Sequence, residues 1–385
     1  METTENNLPV TPEKIIDFKS YKWLISSCFQ KSLRRGRYDL AKSYLEYLWL
    51  HDRNYITYRF GTILTEDVGI ANVSLLEEYL STKLAKKAID EKGGLDFLLK
   101  LTEEACSSVK DRSSCDAGYI ASFYNLSITE DVRGIFLNPK NHYIDRVNAS
   151  WTVLGNKKFQ NPQLNYTVEE DLPSYLDLIK EVTNEKFSHI VEKAYATQIE
   201  NICLGMPVVI SAYEYEKNTV NNPKLPVGKV IENIYVKETS FYHEALGLEI
   251  ISCGIDGHTR EGKTAYYQYL KTRNDFSRYL NQHKVPYEEH INILKHCLFR
   301  LEGHEVNKRL YFPSAVQIMR ECESNILNMK AGFNENVLDF NELKNILLKD
   351  IHIINQMREQ VLKNTPVPMI DKPEPKIPKK KKATT

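Results

Sequence analysis

The residues whose types and spacing say most about chemistry are Gly257, His258, Thr259, Arg260, Glu261, Gly262, Lys263 and Thr264, which satisfy the phosphate-loop pattern G-x-x-x-x-G-K-[ST]. In such a loop, backbone N–H groups cradle phosphates; here Lys263 would reach the terminal phosphate and Thr264 would hold magnesium. The apolar run Leu248, Glu249, Ile250, Ile251, Ser252, Cys253 reads as a strand leading into the loop, and a helix follows it. Three features weigh against ATP and Mg²⁺. A nucleotide-binding α/β fold alternates parallel strands with helices, whereas the sequence after residue 264 reads as helices only. No apolar strand ending in Asp follows to serve the metal. His258, Arg260 and Glu261 are also bulky or charged for a tight cradle. Two further readings stand beside nucleotide binding: a non-hydrolytic phosphate site made by His258, Thr259, Arg260 and Lys263 at a helix N-terminus, and a plain turn with a helix cap.

A second cluster, Lys31, Arg34, Arg35 and Arg37, surrounds a helix end marked by Gly36. Cations there complement the carbonyl end of the helix dipole, and contact with phosphate or a partner is the functional alternative. Glu66 and Asp67 oppose the dipole near the end of a later helix, which predicts salt bridges with Arg34, Arg35 or Arg59. The run Lys379, Lys380, Lys381, Lys382 would attract phosphates without specificity, or simply solubilise the end of the chain. No catalytic residue and no metal ligand is assigned. His290 and His296, or His304 with Glu302 and Glu305, lack ligand spacing with a third donor and read as surface histidines. No Gly-x-Ser-x-Gly elbow exists.

These clusters sit in a chain of 385 residues, 42% hydrophobic and 26% charged, which is ordinary for a globular protein. The 51 basic and 51 acidic residues cancel, so any nucleic-acid site must come from local clustering. Seven scattered cysteines without C-x-x-C spacing read as reduced thiols. With a polar N-terminus and no apolar run near 18 residues, they predict a cytoplasmic protein without a membrane span. The 23 tyrosines suit amphipathic helix surfaces, with base stacking as the alternative.

Hydrophobic periodicity predicts a mainly α protein, a helical bundle with an irregular middle and a disordered basic tail. Helices are expected over residues 19–35, 40–48, 54–68, 74–89 and 95–107, then 172–186 and 187–204. Residues 207–213 fit a strand or a helix start, and 216–228 a polar loop. Helices return over 263–280, 287–301, 314–328 and 335–362. The last carries a stripe of Leu343, Leu347, Ile351, Ile354, Met357 and Val361, read as an internal packing face rather than a partner site. The expected organisation is a flexible start (1–12), a helical module (13–117), a mixed continuation (118–285), C-terminal helices (286–365) and a Lys/Pro-rich tail (366–385).

Gln30, Lys31, Ser32, Leu33, Arg34, Arg35 and Gly36, followed by Asp39, Leu40 and Ala41, resemble the start of the C-terminal helical region of the replication-associated recombination protein A family, clamp-loader-like AAA+ ATPases. The likeness continues through Arg59 into Thr65, Glu66, Asp67, Val68, Gly69, Ile70 and Ala71, which resemble that family's S-E-D-I-G-x-A signature. Lys110, Asp111, Arg112 and Ser113 are a weaker echo. Asn148, Ala149, Ser150 and Trp151, and the segment from His258 to Lys263, resemble elements of ATPase-free, phage-like relatives. About 18 residues precede the module, too few for an ATPase core. The resemblance therefore implies a stand-alone collar-like module, whose family counterpart mediates oligomerisation and helps hold DNA.

The function expected is a non-enzymatic DNA-transaction accessory protein, in replication, recombination or transcription. Its partners would be single- or double-stranded DNA, a polymerase or replisome protein, or further copies of itself. A degenerate P-loop nucleotidase, and a protein–protein module such as a phage transcription cofactor or host-directed inhibitor, are the alternatives.

Overall fold

Apolar residues at helical spacing build the N-terminal part of the core. In α1 (Phe18–Arg34), Tyr21, Leu24, Ile25, Cys28, Phe29 and Leu33 are buried, and Asp17 caps the start by accepting the Lys19 N–H. Gly36, at φ +74°, follows its end in the left-handed region that glycine enters without strain. α2 (Tyr38–His51) packs Leu40, Ala41, Tyr44, Leu45 and Leu48 inward, and α3 (Arg53–Ile63) buries Ile56, Phe60 and Ile63. This computed structural model describes residues 14–121, 123, 131–154, 172–183, 185–196, 205–232, 239–366 and 369–371.

The chain departs from the expected helix over 54–68 at its end. After Ile63 it widens into a π-helical turn, Leu64–Val68, and then tightens into a 3-10 turn, Gly69–Asn72. The wide turn re-aims side chains, and it leaves Asp67 wholly buried beside a half-buried Glu66. The single helix expected over 74–89 is two, α4 (Val73–Leu80) and α5 (Lys86–Glu91). Between them the Thr82 hydroxyl donates to the Tyr79 carbonyl and accepts the Leu84 N–H, holding a turn in which Lys83 and Leu84 take positive φ. α6 (Leu95–Ser107) follows as expected.

The stretch from 113 to 154 is more helical than its Asn and Pro content suggested: α7 (Ser113–Ala121), α8 (Val132–Leu137) and α9 (Tyr143–Leu154). The helices expected over 172–186 and 187–204 are α10 (Leu172–Val182) and α11 (Glu185–Ala196), and residues 197–204 lie outside the described residues. The ambiguous run at 207–213 belongs to a helix, α12 (Met206–Thr219), with Pro207 in its first turn, where a missing N–H costs nothing. Its last residues occupy the start of the loop expected from 216.

Among the described residues the strands form three antiparallel pairs: β1 (Lys14–Ile16) with β6 (Met369–Asp371), β2 (Val230–Glu232) with β5 (Lys308–Leu310), and β3 (Ser240–His243) with β4 (Leu248–Ile251). The β6 strand lies inside the stretch expected to be disordered; pairing with β1 gives its backbone a partner. Residues 1–12 and Lys379, Lys380, Lys381 and Lys382 lie outside the described residues.

The C-terminal part holds α13 (Arg260–Leu270), α14 (Asp275–Gln282), α15 (His290–Gly303), α16 (Pro313–Glu323), α17 (Asn325–Lys330) and α18 (Phe340–Asn364). One helix was expected over 263–280. Asn274 divides it: its amide donates to the Tyr269 and Thr272 carbonyls at 3.0 and 2.9 Å, and its oxygen caps α14 by accepting the Ser277 N–H at 2.7 Å. The α18 stripe is an internal face. Leu343, Leu347, Ile354 and Val361 are buried in a second core with residues of α13, α14 and α15, and Ile351 and Met357 pack at its edge. No helix among the described residues is long and apolar enough to cross a membrane.

Candidate functional site

The cations at the end of α1 face inward. Lys31 Nζ contacts the Asp256 carboxylate and donates to the Cys253 carbonyl at 2.6 Å. Arg34 donates from Nε to Asp67 Oδ1 at 2.7 Å and from Nη1 to the Gly303 carbonyl at 2.8 Å. Arg35 Nη2 reaches Glu305 at 2.6 Å and the Glu302 carbonyl at 3.2 Å. All three residues are buried. Pulling such a group from its partners leaves an uncompensated buried charge, at a cost of about 3–5 kcal/mol. Lys31, Arg34 and Arg35 are thus held by carboxylates and carbonyls from other parts of the chain, which opposes the phosphate contacts weighed for them. Arg37 is different: its 3.0 Å pair with Asp39 lies in solvent, where it is worth little.

Asp67 is the hub of this inward network. It accepts from Gln30 Nε2 at 2.9 Å, from Arg34, and from Arg112, a partner the sequence did not single out as a site residue. Burial pushes its carboxyl up, but Arg34 and Arg112 outweigh burial and hold it below the usual range. Glu66 takes Gln30 Nε2 at 2.7 Å and lies 3.7 Å from Arg59. Further along, Arg300 grips Asp116 at 2.8 and 3.2 Å, and Arg358 grips Glu302 at 2.6 and 2.8 Å. The histidines expected at the surface are inside as well: His290 and His296 are buried, and the His304 side chain is 10% exposed. Among the described residues no group of three His, Cys, Asp or Glu side chains is placed to hold a metal.

The phosphate-loop-like segment folds as a turn closed on itself. The strand before it, β4, is one arm of an antiparallel hairpin rather than part of a parallel sheet. The Asp256 carboxylate accepts the His258 N–H at 2.9 Å, and the Asp256 carbonyl accepts the Thr259 N–H at 3.0 Å. Thr259 Oγ1 accepts the Gly262 N–H at 2.9 Å, and the Thr259 carbonyl accepts the Lys263 N–H at 3.1 Å. Four amides that a nucleotide loop would offer to phosphates are thus already bonded. A Cβ on Gly262 would fall 1.9 Å from the Asp256 carbonyl oxygen, so close backbone approach explains this glycine without a ligand. Thr264 Oγ1 donates to the Arg260 carbonyl at 3.0 Å.

What the segment leaves free is its outer side. His258 lies beside Phe299, ring centres 6.0 Å apart, at the mouth of a small cavity of about 80 Å³ that also includes Lys31, Asp256, Gly257, Lys295 and Glu302. The two carboxylates there are matched by Lys31 and Arg358. Burial and then the Lys263 charge hold the Lys295 ammonium below its ordinary pKa. Along α13, Arg260, Lys263, Thr264, Tyr267 and Gln268 are exposed, and Lys271 and Arg273 continue the exposed side. Glu261 points inward, 2% exposed, and is bound by Arg260 at 2.8 Å. Lys271, Arg273 and Lys295 were missed in the sequence. A count of charge over residues 260–284 could have found the first two, because Arg260, Lys263, Lys271, Arg273, Arg278 and Lys284 face only Glu261 and Asp275.

Comparison with known family models, with curated proteins and with solved structures finds no match to this chain.

Proposed function

We propose that this chain is a non-enzymatic accessory protein of DNA transactions, binding DNA through its helical scaffold and serving a polymerase or replisome partner. The observation that carries the reading is the outer face of α13. In a chain of zero net charge, Lys263 and Lys271 are exposed on that face beside Arg260, which pairs at 2.8 Å with the helix's one carboxylate, the buried Glu261. Local clusters of this kind are the electrostatic footprint of phosphate-backbone binding. The resemblance of the N-terminal module to a family region that helps hold DNA supports the same reading. Nucleotide hydrolysis is disfavoured by the internally bonded amides of residues 258, 259, 262 and 263, and a partner site on α18 by the burial of its apolar stripe.

The test is a salt titration of the full chain with labelled DNA, with and without ATP. Affinity is expected to fall steeply between about 50 and 200 mM salt. A Lys263→Ala, Lys271→Ala double variant should bind more weakly with a shallower salt slope. ATP should change nothing and release no phosphate. Negligible binding at low salt would refute DNA binding, and ATP hydrolysis lost in Lys263→Ala would establish the nucleotidase instead.

A further inference from the structure

The helices α13 and α14 lie in succession along α18. The Tyr266 hydroxyl accepts from Arg358 at 2.7 Å, the Tyr269 hydroxyl donates to Asp350 at 2.7 Å, and the Tyr279 hydroxyl accepts the Asp339 N–H at 3.0 Å. As the chain advances through α13 and α14 its contacts step backwards along α18, from residue 358 to residue 339, a run of about 28 Å at 1.5 Å per residue. The pair of helices therefore forms one ridge, with its apolar side on α18 and its polar side in solvent.

That polar side has an order. Lys263, Tyr267 and Lys271 occupy successive turns of one row, and Tyr267 is 50% exposed. An aromatic ring between two cations, four residues from each, is the arrangement in which a base stacks while its flanking phosphates meet ammonium groups. Beyond Lys271 the ridge dips into an open hollow of about 540 Å³ lined by Thr272, Arg273, Asn274, Ser277, Arg278, Asn281 and Gln282. Its lining holds no carboxylate and no apolar side chain. Among the described residues Ser277 Oγ is buried there without a hydrogen-bond partner. Arg278 pairs with Asp275 at 2.7 Å, but both are exposed, so the pair yields readily to a phosphate.

We infer that the ridge is a seat for single-stranded DNA. One base stacks on Tyr267, its neighbouring phosphates lie on Lys263 and Lys271, and the next phosphodiester enters the Arg273–Arg278 hollow. The inference rests on the DNA-binding reading above and adds the strand preference and the register. A single strand is favoured over a duplex because a half-exposed ring needs an unpaired base face to stack on.

The test uses the full chain with a labelled oligothymidylate of about 20 nucleotides and a duplex of equal length, by fluorescence anisotropy at several salt concentrations. The single strand should bind more tightly. Tyr267→Ala should weaken it by about five-fold or more without changing the salt slope, and Tyr267→Phe should restore it. Arg273→Ala should reduce the slope by about 0.7. Circular dichroism of each exposed-site variant checks that the fold is kept. A duplex preference, or an unaffected Tyr267→Ala, overturns this inference and leaves DNA binding standing. Failure of both probes to bind at low salt overturns both.

Discussion

Replacing Asp67 by Asn tests the buried charge network at nearly constant volume. The carboxylate is fully buried and accepts from Gln30, Arg34 and Arg112, whose guanidinium side chains are only 2% and 3% exposed. An amide keeps the shape but supplies one acceptor oxygen and no charge, so two buried cations lose their counter-ion together. Breaking a buried pair in this way costs about 3–5 kcal/mol. The internal control is Asp39→Asn, whose pair with Arg37 has side chains 47% and 64% exposed and should be worth about 0–1 kcal/mol. Urea unfolding measures both, the midpoint shifting at an unchanged m-value. Acidity adds a second check. The Asp67 carboxyl is held low in the fold because its two arginines outweigh burial. Its stabilisation is thus complete above the unfolded value of about 3.9 and disappears as pH falls through the lower folded one. The gap between wild type and Asp67→Asn should narrow over that acid range. If Asp67→Asn costs no more than Asp39→Asn at neutral pH, the network does not hold the fold as argued.

Thr259→Ala removes the acceptor for the Gly262 N–H at the start of α13, and should cost about 1 kcal/mol in the same unfolding assay. Because the cap shapes the turn and not the exposed face, it should leave the salt slope of DNA binding intact. His296 donates from Nε2 to the Cys322 carbonyl at 2.9 Å, and burial with the nearby Arg300 charge pushes its pKa down to about 3. The fold holds it neutral while the unfolded chain protonates it near 6.5. Its contribution is therefore complete above 6.5 and lost as pH falls towards the folded value. His296→Gln, which can still donate, should reduce the acid slope of stability between pH 6 and 4 by about 1.4 kcal/mol per pH unit; an unchanged slope would mean the ring is not buried neutral.

The elements with a wide apolar stripe were legible, because burial of one face at period 3.6 leaves a pattern that local sequence carries. α1, α2, α6 and α18 are of this kind. The breaks at Thr82 and Asn274 were not, since a polar residue on a helix's outer face and one that caps a turn look alike until its side chain meets a carbonyl. The direction of charged side chains was the least legible. Asp67 opposes its helix dipole, which marks it in the sequence, yet Arg112 joins it from 45 residues away and Lys31 meets Asp256 from 225 away. Nothing in a local window distinguishes these inward cations from the outward Lys263. Clustered basic residues near Gly36 looked like a surface because their acceptors, Gly303 and Glu305 among them, come from another part of the chain. Lys271 and Arg273 escaped notice for the opposite reason: they belong to no motif, and they share one exposed side only because α13 and α14 lie along one support.

The pairing of β1 with β6 has a consequence for how the chain is made. Lys14 is opposite Asp371, so β1 finds its partner only after the helices between the two strands have been made. At about 5–20 residues per second, that interval is on the order of tens of seconds on the ribosome. During it the early strand stays an open edge beside helices that have already formed. That order makes the pair a late-closing seam in an otherwise helical fold.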